Sequence, residues 1–192
     1  MGKVIVLIST TLDGYADARN VIVDSELFEF THSLMAISEI VAFGRNTFEI
    51  FQERWPQRLQ DEATPEWMRE MAQSLHDIPK VVFSSTLKKT TWHNSKIISK
   101  LDANYIKTFK QSSSGALITF GSPSLVEQLT EMNAVDDYYF NVLPLLPGKG
   151  ESRFFSKMNL HTPLPLKYVE CKEQTSGAHI IHYKGTDRSK SA

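Results

Sequence analysis

Two segments far apart in this chain share one build, an apolar run that stops at glycine and resumes as a helix-like pattern opened by small polar residues. They are EIVAFGRNTFE (39–49) and ALITFGSPSLVEQL (116–129). A strand that turns into a helix across a glycine presents unpaired backbone N–H groups at the positive end of a helix dipole, a seat for an anion. Two such seats in one α/β domain point to a ligand with more than one phosphate, a dinucleotide first of all. They also demand that strands and helices alternate, and parallel strands joined by crossover helices are the economical way to do that.

The rest of the chain obeys that demand. KVIVLIST (3–10) is the apolar, β-branched run of a strand covered on both faces. SELFEFTHSLMA (25–36) follows a capping Asp24 or Ser25 and places Leu27, Phe30, Leu34 and Met35 on one helical face. Helices are predicted over 45–55, 65–77, 101–113 and 122–132, and strands over 79–85, 95–99 and 135–144. LKYVECKEQ–TSG–AHIIHYKG (166–185) reads as a terminal antiparallel hairpin. A single domain over 1–185 with a loose polar tail at 186–192 is expected, with no internal repeat and no linker.

Composition removes several classes of function. With 41% hydrophobic residues in 192, the chain can bury a real core. Its 21 basic and 22 acidic side chains are mixed, so no basic stripe is present to neutralise nucleic-acid phosphates. A lone cysteine, Cys171, excludes an internal disulfide and a cysteine-based zinc site within one chain. The histidines lack metal-ligand spacing, and neither a nucleophile elbow nor a P-loop is present, so no metal is expected. The apolar start is too short for a signal peptide or a membrane span. The expectation is a soluble cytoplasmic protein whose partner is a small molecule, with no role for nucleic acid or membrane.

At the first seat Gly44 lets the backbone approach an anion, Asn46 and Thr47 offer amides and a hydroxyl, and Arg45 adds a planar cation suited to phosphate. The plainer reading makes Arg45 a solvated helix-start residue and Thr47 a local cap. Ser84, Ser85 and Thr86 end a strand, with Lys88 behind them. Hydroxyls and an ammonium at a strand's carboxyl end suit a phosphorylated adenosine ribose, and equally an ordinary serine-rich turn. The second seat is Gly121, Ser122, Pro123, Ser124 and Leu125. Asp13 in the LDG loop is placed to bond its own backbone. Asp136 and Asp137 open a strand on opposite faces and read as structural.

KVIVLISTTLDGY, IVAFGRNTFE, PKVVFSSTL, ITFGSPSLVEQL, VDDYYFNVLPLLPGKGESRFF and the SGAHIIHY hairpin stand in the order seen in the dihydrofolate-reductase-like superfamily. Over residues 3–184 the chain resembles the branch holding the reductase domain of bacterial riboflavin biosynthesis and its stand-alone relatives. The resemblance implies a three-layer α/β/α fold with a mixed central sheet, an NADPH cofactor, and hydride transfer to a pterin-, pyrimidine- or ribosylamino-pyrimidine-like substrate. It implies that the Gly121 turn faces the cofactor pyrophosphate, although relatives carry two glycines where this chain has Gly121–Ser122. It puts the loop of Asp13, Tyr15 and Asp17 over the nicotinamide, within reach of substrate. Glu26, followed by Leu27 and Phe30, has the spacing of the acid that dihydrofolate reductases use; the other reading of Glu26 is a first-turn acid favoured by the helix dipole. Relatives commonly pair, and the DDYYFNV strand with the terminal hairpin makes a homodimer an expectation. The rival function is a non-catalytic nucleotide- or flavin-binding module on the same scaffold.

Overall fold

A computed structural model of the protein describes residues 1–150 and 152–186. The strands are β1 (Lys3–Thr11), β2 (Ser38–Gly44), β3 (Lys80–Phe83), β4 (Ser95–Ile98), β5 (Ala116–Phe120), β6 (Asp137–Leu143), β7 (Leu166–Glu173) and β8 (His179–Gly185). The α-helices are α1 (Ser25–Ala36), α2 (Arg45–Gln60), α3 (Glu66–Asp77), α4 (Ala103–Ser112) and α5 (Pro123–Glu131). The strands form one sheet in the order β4-β3-β2-β5-β1-β6-β8-β7. All pairings from β4 to β6 are parallel, and β8 joins β6 and β7 antiparallel.

Both faces of the sheet are covered, which is why β1 and β5 read as unbroken apolar runs. On one face Val4, Val6, Ile8 and Leu117 pack with Ile106 and Phe109 of α4 and with Leu125, Val126 and Leu129 of α5. On the other, Ile5, Leu7, Phe43 and Ile118 pack with Leu34 and Met35 of α1, Phe48 of α2, and Met71 and Leu75 of α3. The result is the mixed-sheet, three-layer arrangement expected, with the hairpin at one edge.

Three local outcomes differ from the sequence reading. Helix α2 does not stop at Trp55 but runs through Pro56 to Gln60, so the polar stretch after Pro56 begins as helix. Strand β3 ends at Phe83, leaving Ser84 and Ser85 in the turn beyond it. Strand β6, whose aromatic DDYYFNV sequence that reading offers as a patch for a dimer to bury, lies inside the sheet between β1 and β8; Tyr138 is 1% exposed. The expected tail lies outside the described residues from 187 onward.

Chain direction positions the site. After β1 the chain leaves through α1 toward β2, on one side of β5 and β1; after β5 it leaves through α5 toward β6, on the other. Helices α1 and α5 also lie on opposite faces. The carboxyl ends of the adjacent strands β1 and β5 therefore flank a topological switch point, where open α/β sheets form their ligand crevice.

Candidate functional site

A cavity of about 270 Å³ opens at that switch point. Its floor is the end of β1 (Leu7, Ile8, Ser9) and the turn after β5 (Phe120 to Pro123). Leu27, Phe28 and Thr31 of α1 form one wall and Ile50, Phe51 and Trp55 of α2 another, with Met68 and Met71 of α3 behind them. Phe28 and Trp55 meet at 5.6 Å between ring centroids, and Phe51 and Trp55 at 6.0 Å. An apolar slot with aromatic walls suits a flat ring.

Arg54 and Arg58 line the outer part of the same cavity. They are one helical turn apart on α2 and both are solvent-exposed. Sequence reading singles out neither: Arg54 lies inside the predicted helix, four residues after Ile50, and Arg58 falls beyond the Trp55 at which that predicted helix ends.

The two glycine turns are laced together. Ser122 Oγ accepts from Gly44 N at 3.1 Å, and Thr47 Oγ1 accepts from Ser122 N at 3.1 Å. Where the superfamily pattern has a second glycine, Ser122 takes a left-handed conformation, φ 53° and ψ 58°, and is 4% exposed. Gly121 beside it is at φ 59°, a conformation that favours glycine. The amides of Gly44 and Ser122 are thus engaged inside the protein. The first-turn amides of α2 at Arg45, Asn46 and Thr47 lack intrahelical partners by construction, as does that of Ser124 in α5. Pro123 lines the cavity, whereas Leu125 is 2% exposed in the core beneath α5 and reaches the turn only through its backbone.

The parallel register of β2 and β3 sets Gly44 beside Phe83, so the residues that follow each strand come together. Arg45 Nη1 donates to Thr86 Oγ1 at 3.1 Å. Ser84 Oγ accepts from the amides of Thr86 and Leu87, which folds the turn, and Lys88 Nζ donates to Ser85 O at 3.3 Å. Asn46 Oδ1 lies 3.4 Å from Arg45 Nε. One guanidinium, one ammonium and three hydroxyls therefore gather on a solvent-facing rim.

The candidates of the first loop separate. Asp17 lines the cavity and is paired with Arg19, Nε donating to Oδ1 at 3.0 Å. Asp13 instead ties two loops: it accepts from Thr11 Oγ1 at 2.6 Å and from Gly148 N at 2.9 Å. The Thr11 hydroxyl, with the Gly148 amide, holds its carboxyl below the usual range. Tyr15 bridges to Arg153, and a Cβ on Gly150 would lie 2.6 Å from its ring. Asp13 and Tyr15 thus hold Gly148, Gly150 and Arg153 in place and do not line the cavity. Glu26 is also turned elsewhere, its carboxylate accepting from Thr175 N at 2.5 Å in the turn between β7 and β8. Asp136 and Asp137 are structural, as read: Asp136 accepts from Val4 N and pairs with Lys110, and Asp137 joins Lys3 to His182.

The sequence profile of the RibD C-terminal domain family matches residues 2–180 of this chain. Uncharacterized protein YyaP of Bacillus subtilis (strain 168) is 24% identical over 185 residues, covering 94% of each chain. A putative riboflavin biosynthesis protein from Shewanella sp. PV-4 matches in structure with a TM-score of 0.69 and 16% identity, over 96% of this chain and 99% of that one. A dihydrofolate reductase from Enterococcus faecalis, solved with NADP(H), matches with a TM-score of 0.63 and 14% identity, over 97% of this chain and 98% of its own. The fold is therefore dihydrofolate-reductase-like.

Proposed function

Because the chain belongs to the RibD C-terminal domain family, we propose that it is an NADPH-dependent oxidoreductase acting on a small planar heterocycle of the pterin, pyrimidine or ribosylamino-pyrimidine class. The observation that carries this reading is one continuous track along the strand ends. The cavity at β1 and β5 leads past the Gly121 turn to the Arg45–Thr86 rim at β2 and β3. The donor set fits a dinucleotide with an extra phosphate. Arg45, Ser85 and Lys88 suit the 2′-phosphate of an adenosine ribose, and the first-turn amides of α2 and the Ser124 amide suit the pyrophosphate.

Bound NADPH supplies the hydride. The chain's own part is to hold a flat substrate between Phe28, Phe51 and Trp55, exclude water, and meet an anionic group of the substrate with Arg54 and Arg58 at the rim. A homodimer is proposed as the assembly. Because β6 is interior, the pair would use the open edge strand β7.

The interlocked turns favour a second reading, a nucleotide- or flavin-binding module without turnover, since they withdraw two amides from the phosphate. Titration and NADPH oxidation with a panel of pterins, pyrimidines and phosphorylated ribosylamino-pyrimidines separate the two. The reductase reading expects turnover on at least one substrate, and tighter binding of NADPH than of NADH by about 1–3 kcal/mol, a gap that Arg45→Ala narrows. Binding without turnover on any of them favours the module, and equal affinities for the two cofactors remove the 2′-phosphate assignment.

A further inference from the structure

At the bottom of the apolar slot sits one polar pair that neither the fold nor the cofactor track requires. Ser9 of β1 stands directly opposite Asn141 of β6 in the parallel register. Asn141 is fully buried, and its Nδ2 donates to Ser9 Oγ at 3.0 Å. Ser9 lines the cavity; Asn141, beside it on the next strand, does not. On the same strand face, Ile5 and Leu7 of β1 and Tyr139 of β6 are ordinary packing residues. An asparagine there is costly, because its Oδ1 is buried without a partner.

The arrangement sets the direction of the Ser9 hydroxyl. A serine oxygen that already accepts from a buried amide has its proton left to give, and among the described residues no acceptor takes it. The neighbouring floor and walls, Leu7, Leu27, Phe28, Phe51 and Phe120, are apolar, so a hydrogen bond made here is shielded from water.

We propose that Ser9 is the substrate-orienting donor of this cavity, that Asn141 is its positioning residue, and that the pair selects a flat neutral ring bearing a carbonyl or imine acceptor. This rests on the reductase reading and narrows its substrate. A hydroxyl donating to such an acceptor draws electron density from the adjoining carbon, which is the polarity a hydride acceptor needs. Arg54 and Arg58 would then hold a charged tail at the rim, while the reacting ring meets the neutral Ser9 donor at the floor.

The test uses two rigid probes of equal shape, 1-indanone, which can only accept, and indane, which can do neither. Each is titrated calorimetrically into the full chain without cofactor, so turnover plays no part. The wild type is expected to bind 1-indanone about tenfold more tightly than indane, the worth of one shielded neutral hydrogen bond. Ser9→Ala should bring the ratio to about one with indane affinity unchanged, Asn141→Leu should lower it, and Ser9→Thr should restore it. A merely structural role for the pair would weaken both probes together and leave the ratio alone. Equal affinities in the wild type, failure to bind either probe, or an unchanged ratio in Ser9→Ala overturns the inference. NADPH oxidation by the same preparations is scored separately. Lost discrimination with turnover intact sinks this inference alone, and intact discrimination without turnover sinks the reductase reading.

Discussion

Lys80 shows how a single buried charge is held. It is 2% exposed, and its ammonium donates to the carbonyls of Leu75, His76 and Ile78 at 2.6, 3.0 and 2.8 Å, closing the end of α3, with the Trp92 ring 4.9 Å away. Burial pushes its pKa down to about 8, against the pull of Asp77. Below pH 8 folded and unfolded chains both carry the proton, and the full cost of burying the charge is present. Between about 8 and 10.4 the unfolded chain keeps a proton that the folded chain has released, so this group makes stability rise with pH, by at most about 3 kcal/mol. Urea denaturation at both ends of that window should show the rise in wild type relative to Lys80→Met. The variant itself should be less stable at neutral pH by about 1–3 kcal/mol, because three carbonyls lose their donor. A parallel response of the two proteins to pH would remove Lys80 as its source.

Helix α5 begins on a strained residue and helix α1 is tied to a distant hairpin, and each join has its own signature. Ser122 holds a left-handed conformation that costs an L-residue about 1–2 kcal/mol, while its hydroxyl accepts from Gly44 N. Ser122→Gly loses the hydrogen bond but also the strain and should be nearly neutral. Ser122→Ala keeps the strain and strands the Gly44 amide, so it should be the less stable of the two by about 1 kcal/mol. Equal midpoints in denaturant for the two variants would deny the strain. Glu26 joins the first turn of α1 to the turn between β7 and β8 through Thr175. Glu26→Ala should therefore lower stability by about 1 kcal/mol and leave NADPH affinity unchanged. A tenfold fall in turnover at unchanged stability would return the carboxylate to the chemistry.

At the scale of the molecule the sheet has two ends, β4 and β7. Strand β7 is open along nearly its whole length, with Tyr168 at 57% and Val169 at 41% exposure. Its charges are mixed in sign, Lys167, Glu170, Lys172 and Glu173, so an antiparallel copy related by a two-fold axis at Cys171 sets Lys172 of each strand opposite Glu170 of its partner. Light scattering at micromolar concentration should return twice the 21.8 kDa of one chain, and high salt should weaken the pair. A single-chain mass at low salt would end the homodimer. No helix among the described residues is long and apolar enough to cross a membrane.

Local chemistry alone determined the alternation of elements. Runs such as ALITF carry their burial in their composition, and Asp24 and Asp102 accept from the amides of Leu27 and Tyr105 as caps, so most strands and helices were legible. The meeting of Arg45 with the turn after β3 was also within reach, because each sits just past a strand's carboxyl end. What only the tertiary structure decided are the facts that depend on which strands become neighbours. Sequence spacing does not say that β5 inserts between β2 and β1, that β6 is interior, or that Asn141 faces Ser9 across 132 residues. Glu26 has the right neighbours for a catalytic acid, yet its carboxylate is captured by a hairpin 149 residues away. Continuation of α2 past Pro56, and with it the second arginine at the rim, was settled in the same way. Lost helix hydrogen bonding at proline is a local cost of a few kcal/mol, and packing against the rest of the molecule outweighs it.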